Sequence, residues 1–175
     1  SNTLLGIATL RLRPPLAMTK NWAGMTHGEK LSMKNFFITS ESDLKQFAFD
    51  FVKTLRGGEI IGLVGDLGAG KTTFVKYVAE ALGIKKPVRS PTFIIMQVFT
   101  IPKITQSLNH SITRLAHLDA YRLKDYSELL TIGFLDYVNK PNMVIFIEWP
   151  NRVPEVRDLP GYREVRFAFN GEGRE

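Results

Sequence analysis

Residues 60–73 read Ile60-Ile61-Gly62-Leu63-Val64-Gly65-Asp66-Leu67-Gly68-Ala69-Gly70-Lys71-Thr72-Thr73. Ile60 to Val64 is apolar enough to be buried on both faces, as a strand inside a parallel sheet must be. From Thr72 to Leu82 the pattern turns helical: Phe74, Val75, Val78, Ala79 and Leu82 fall on one side, and Gly83 stands where a helix stops. Between strand and helix lies a complete G-x-x-x-x-G-K-[ST], from Gly65 to Thr72. Its glycines permit torsions and close approach that a Cβ forbids, so successive N–H groups can converge on phosphate oxygens. Lys71 offers a point charge to the terminal phosphates, the Thr72 hydroxyl is suited to Mg²⁺, and the helix start adds its positive dipole end. Chance alone yields this pattern in about one chain in a hundred of this composition, before the flanking strand and helix are counted.

The same alternation extends both ways along the chain. Phe36 to Thr39 reads as a strand, and Ser40-x-x-Asp43 resembles a capping box ahead of Leu44, Phe47, Ala48, Phe51, Val52 and Leu55 at helical spacing. Gly57-Gly58 ends that helix. Further strands are expected at Phe93–Phe99, Leu115–Asp119, Met143–Ile147 and Glu164–Phe169, with a surface hairpin or long loop over Thr100–Arg114 and a helical pair over Ser127–Asn139 broken at Gly133. Strands alternating with helices predict an α/β fold of the P-loop NTPase kind: a mostly parallel central sheet with helices on both faces.

A phosphate cradle needs carboxylates for its metal, and two end apolar strands. Glu148 follows Met143–Ile147 at the position of an acid that holds Mg²⁺ through water. Asp119 ends Leu115–Asp119, and His117 shares its strand face. Strand-end acids are often ordinary solvated loop starts; two of them beside a P-loop point to a site. Other constellations carry less. His27, His110 and His117 lack metal-ligand spacing, and a lone strand histidine reads as structural. Asn139-Lys140-Pro141-Asn142 lacks the final Asp of a guanine reader, and Arg152 and Arg157 lie among prolines instead of in an Arg-rich kinase lid.

Composition bounds the rest. The chain has 175 residues, 44% hydrophobic and 23% charged, with no cysteine and a formal charge of +6. Absence of cysteine excludes disulfide scaffolds, zinc fingers and thiol nucleophiles, and suits a cytoplasmic protein. No apolar run reaches the roughly 18 residues that span a bilayer. The charge taken alone suggests a nucleic-acid binder. However, Arg11, Arg13, Lys20 and Lys30 against Glu29 place +3 of the excess in residues 1–32. Those residues lack a convincing period and read as an extension outside a domain spanning 33–175: a targeting segment, a remnant of a cleaved tag at Ser1-Asn2 or, as favoured here, a start set upstream of a true initiator at Met33.

Several segments together resemble one family, TsaE (YjeE), the small bacterial ATPase of tRNA threonylcarbamoyladenosine biosynthesis. They are Gly65–Phe74, Ser90-Pro-Thr-Phe93, His117-Leu-Asp-Ala-Tyr-Arg-Leu123, Gly133-Phe-Leu-Asp-Tyr137, Ile147-Glu-Trp-Pro150 and Gly173-Arg174. Their order and spacing fit from about Met33 onward; the residues before Met33 have no counterpart, and the Thr100–Arg114 loop looks longer than usual. The resemblance implies that the protein binds and hydrolyses ATP with Mg²⁺ and works with TsaD and TsaB. TsaD forms the adduct on the adenosine beside the anticodon of tRNAs reading ANN codons, so tRNA enters as substrate of the complex. It also implies roles: Thr72 and Glu148 at the metal, Thr92 as a switch-like sensor of the γ-phosphate, Asp119 positioning water or metal, and Trp149 and Arg174 beside the nucleotide. Lys71, Asp119, Glu148 and Thr92 are thus the candidate catalytic residues; Gly65, Asp66, Leu67, Gly68, Ala69, Gly70, Lys71, Thr72 and Thr73, with Trp149 and Arg174, are the candidate nucleotide contacts. Two other readings stay open at this point: a P-loop kinase of a small metabolite, and a nucleotide-gated binding module.

Overall fold

The computed structural model describes residues 6–11, 33–91, 94–103 and 112–169. Seven strands form one sheet: β1 (Gly6–Arg11), β2 (Met33–Ile38), β3 (Ile60–Val64), β4 (Met96–Thr100), β5 (Arg114–Asp119), β6 (Met143–Glu148) and β7 (Tyr162–Phe169), in the order β2-β1-β7-β3-β6-β5-β4. The four central strands β7, β3, β6 and β5 are mutually parallel. β4 runs antiparallel to β5, and β1 runs antiparallel to both β7 and β2. Five strands therefore point one way and two the other, the mostly parallel sheet that the strand–helix alternation predicts.

Alternation along the buried strands assigns the two faces. On β6, Val144 and Phe146 join one core while Met143, Ile145 and Ile147 join the other; on β3, Ile61 and Leu63 take the first face and Ile60 the second. The first face is covered by α1 (Glu41–Val52) and α2 (Lys71–Ala81), whose apolar stripes bring Phe47, Phe51 and Phe74 onto Phe146 and Phe167. The second is covered by α3 (Tyr126–Thr131) and three short 3-10 segments, Phe134–Asp136, Pro150–Arg152 and Pro154–Asp158, which bury Leu129, Phe134, Val153 and Val156.

Local signals account for the element ends. Ser40 Oγ accepts from Asp43 N at 3.1 Å and Asp43 Oδ2 accepts from Ser40 N at 2.9 Å, so the capping box closes reciprocally at the start of α1. After α2, Ile84 N donates to Ala79 O at 2.9 Å and Gly83 N to Glu80 O at 2.9 Å, the paired bonds of a Schellman stop.

Two expectations change. The strand predicted from Phe93 begins instead at Met96. Ile94 N and Ile95 N both donate to Pro91 O, at 2.9 and 2.6 Å, so the apolar run is first bent into a turn, with Ile95 at φ 63°. Residues 6–11, expected outside the domain, form β1 and lie between β2 and β7. Their place is set by backbone pairing, Gly6 opposite Ile38 and Phe169 and Arg11 opposite Met33 and Glu164, and six residues are too few to announce that by periodicity. Of the Thr100–Arg114 loop, residues 104–111 lie outside the described residues, as do Thr92 and Arg174.

Candidate nucleotide site

The site assembles on one edge of the sheet because the chain leaves β3, β5 and β6 there. Residues 65–70 turn from the end of β3 into α2. Gly65 has φ 154°, and a Cβ on it would lie 2.6 Å from Phe167 O, so only glycine lets the loop pass β7. Gly70, left-handed at φ 92°, is the N-cap of α2 and accepts Phe74 N at 2.8 Å; it has no side chain to fill the helix start. Residues 65–70 therefore form one turn that opens onto the first N–H groups of α2, the geometry that receives phosphate.

Lys71 is 4% exposed. Its Nζ donates to Gly65 O at 2.7 Å and to Asp66 O at 2.8 Å, and lies 4.0 Å from the centre of the Trp149 ring. Burial pushes its ammonium below the ordinary lysine range, against the opposing pull of Glu148, Asp119 and Asp66. Trp149 reaches that position through a left-handed backbone, φ 59° and ψ 49°, costly for a residue with a Cβ and characteristic of functional sites. The Tyr121 ring packs 5.1 Å from Trp149, and the Arg152 guanidinium lies 5.6 Å from Tyr121.

The carboxylates sit one strand apart. Asp119 and Glu148 are paired across β5 and β6 and end both strands at the same level. Thr72 Oγ1 donates to Glu148 Oε1 at 2.7 Å, and His117 Nε2 lies 2.8 Å from the same oxygen. Asp119 Oδ2 accepts from Ser90 Oγ at 2.7 Å and Oδ1 from Tyr121 N at 3.0 Å. Glu148 differs from the other buried glutamates. Glu59 is met by Arg163 and Glu164 by Arg157 and Arg166, whereas among the described residues no lysine or arginine lies within ion-pair distance of Glu148.

That donor set fits a hydrated divalent ion. Thr72 spends its proton on Glu148, which leaves hydroxyl lone pairs for a cation, and among the described residues no lysine or arginine pairs directly with the buried carboxylate. Among the described residues no cluster of three or more His, Cys, Asp or Glu could cage a metal. A hydroxyl and one carboxylate, with water and phosphate oxygens completing the shell, suit Mg²⁺, which keeps several waters.

The structure thus brings together Gly65, Asp66, Leu67, Gly68, Ala69, Gly70, Lys71, Thr72, Thr73, Asp119, Glu148 and Trp149. Sequence reasoning passed over three neighbours. Ser90 stands two residues before the chosen Thr92 and holds Asp119; Tyr121 packs its ring, tilted, against Trp149; His117 binds Glu148. The signal for His117 was its sharing a strand face with Asp119.

Residues 38–175 match the family described as "Threonylcarbamoyl adenosine biosynthesis protein TsaE". The chain belongs to the TsaE family. It is 37% identical to the tRNA threonylcarbamoyladenosine biosynthesis protein TsaE of Aquifex aeolicus over 69% of this chain and 79% of that protein. With the TsaE protein of Nostoc it shares 33% identity over 81% of this chain and 82% of that protein. It also resembles the crystal structure of Bacillus subtilis YdiB, with a TM-score of 0.52 and 27% identity over 74% of this chain and 73% of that one. The P-loop of this TsaE-family chain is therefore a family feature as well as a geometric one. Among the described residues no helix is long and apolar enough to cross a membrane.

Proposed function

We propose that this chain is the ATP-binding and ATP-hydrolysing subunit of a cytoplasmic tRNA-modifying assembly, acting with TsaB and TsaD. The assembly places threonylcarbamoyl on the adenosine beside the anticodon of tRNAs reading ANN codons. TsaD is the transferase, and tRNA is the substrate of the assembly. The observation that carries the reading is the Thr72–Glu148 contact beside the buried Lys71, on the P-loop of a TsaE-family chain.

Each side chain has a task in that reading. Backbone N–H groups of residues 65–73 hold the phosphates. Lys71 exchanges its two carbonyl acceptors for β- and γ-phosphate oxygens. Thr72 and Glu148 hold Mg²⁺, which when bound neutralises charge between those phosphates. Asp119, fixed by Ser90 and by the Tyr121 amide, orients water; Thr92 senses the γ-phosphate, and Trp149 and Arg174 neighbour the nucleotide. Phosphoryl transfer is catalysed mainly by positioning and electrostatics, so a site with no arginine finger placed on the γ-phosphate turns over slowly alone. Partner docking completes it. In support, Leu67, Ile94 and Tyr121 stand exposed by 80%, 63% and 44% on loops at this same sheet edge, apolar surface suited to a partner.

The test is an ATPase assay with and without TsaB, TsaD and tRNA, comparing the unaltered protein with Glu148→Ala. Stimulated hydrolysis that Glu148→Ala abolishes is expected. Equal rates with and without partners would remove the activation claim, and an unchanged Glu148→Ala rate would remove the assignment of that carboxylate. Hydrolysis that depends on a small acceptor and not on TsaD would favour the metabolite kinase.

A further inference from the structure

His117 is fully buried, and its polar contacts are one-sided: Nε2 lies 2.8 Å from Glu148 Oε1, while Nδ1 is buried without a hydrogen-bond partner. An ionised carboxylate only accepts, so Nε2–H is the donor in that contact, and Nδ1 faces no partner. Leaving a buried polar nitrogen without a partner is unfavourable, and a core that needed only bulk there would be better served by leucine or phenylalanine. The imidazole is therefore present for its Nε2–H.

We propose that His117 is the positioning residue that aims Glu148 at the metal. This rests on the Mg²⁺–nucleotide reading given above and deepens it. Both hydrogen bonds to Glu148 fall on Oε1, so Oε2 carries neither. The two donors differ in rigidity. Thr72 is in the first turn of α2, directly after the loop that must admit phosphate, whereas His117 sits inside β5, opposite Phe146 of β6, clamped on both sides by sheet pairing. When the P-loop adjusts to a nucleotide, His117 is the donor that does not move. It holds Oε1 back and leaves the carboxylate pointing one way, as an outer hydrogen bond orients a metal ligand.

The readout is calorimetric affinity for a non-hydrolysable ATP analogue, measured with Mg²⁺ and again with EDTA; the ratio reports the metal's contribution separately from that of the P-loop. In His117→Leu the ratio is expected to fall about tenfold while the EDTA affinity stays within about twofold. His117→Gln, whose amide N–H reaches the Nε2 position, is expected to restore the ratio; His117→Asn, which reaches only the Nδ1 position, is not. The Gln and Asn pair carries the test if His117→Leu does not fold. A wild-type ratio in His117→Leu or His117→Asn would overturn the proposal, as would equal losses with Mg²⁺ and with EDTA, the mark of a merely structural side chain. An unaltered protein with no Mg²⁺-dependent affinity would instead overturn the functional reading beneath it.

Discussion

Lys71 meets two opposed demands: its charge is needed for phosphate, and its burial penalises that charge. Two carbonyl acceptors and the face of Trp149 hold the ammonium in place, yet burial still lowers its pKa. For a lysine the sign is fixed. A lowered folded pKa means the unfolded chain binds the proton more tightly, so this group weakens folding at neutral pH and the penalty fades as pH rises through the folded pKa toward the unfolded one. Lys71→Met is accordingly expected to raise the melting temperature of the nucleotide-free protein at pH 7, by an amount that shrinks toward pH 10. The same change should weaken nucleotide binding roughly a hundredfold, about 3 kcal/mol for charged hydrogen bonds to phosphate. Thermal scans across pH and calorimetry check both parts. At this scale Lys71, Thr72, Asp119 and Glu148 were all legible in the sequence, because a spacing motif and strand ends have fixed geometric meaning. Ser90 was not, since a hydroxyl that holds a carboxylate from another element has no local pattern, and for His117 the shared strand face with Asp119 did not reveal its contact with Glu148.

Between elements, α1 and α2 are tied by polar bonds across their shared face. Tyr77 of α2 donates to Glu41 at the start of α1, and Lys45 of α1 meets Glu80 of α2 at 2.7 Å. The lysine pair is half exposed and contributes little. The tyrosine is buried: burial first, then Glu41, pushes its pKa up to about 12. A raised phenol pKa gives stability that is complete below the unfolded value near 10 and is lost as pH climbs through the folded one. Tyr77→Phe is expected to cost about 1 kcal/mol in urea unfolding at pH 7 to 9, a gap that closes between about pH 10 and 12. Helices and central strands matched the reading from periodicity to within a few residues, since burial of one stripe or of both faces writes itself into the order of apolar side chains. β4 did not: an apolar run looks alike whether its first residues pair or, like Ile94 and Ile95, turn back on Pro91.

One end of the sheet depends on a strand that composition hid. Among the described residues β2 pairs only with β1, and β1 also covers the edge of β7, the strand that crowds Gly65 at the P-loop. Removing residues 1–12 is expected to unpair β2, bare the β7 edge and lower the melting temperature by at least about 5 °C. Differential scanning calorimetry of the shortened chain checks this; an unchanged transition would mean β1 adds nothing to the fold. The basic excess also changes meaning. Residues 33–175 carry 19 basic and 16 acidic side chains, a net of +3, so much of the basic excess lies outside them. Phe74 gives a second measure of integration, as its ring touches Phe47, Phe51, Phe146 and Phe167 from a position two residues beyond Thr72. Phe74→Ala is expected to cost about 3–5 kcal/mol in denaturant unfolding and to lose nucleotide binding with the fold.

β6 is flanked by β3 and β5 and buried along its whole length. In hydrogen exchange its amides should be among the slowest in the molecule, opening only when the chain unfolds as a whole. The backbone that carries Glu148 is then expected to hold its place while the loops around it open and close. Any rearrangement on nucleotide binding is then expected in the turn after β3, where Leu67 stands 80% exposed, and not in the strand that carries Glu148.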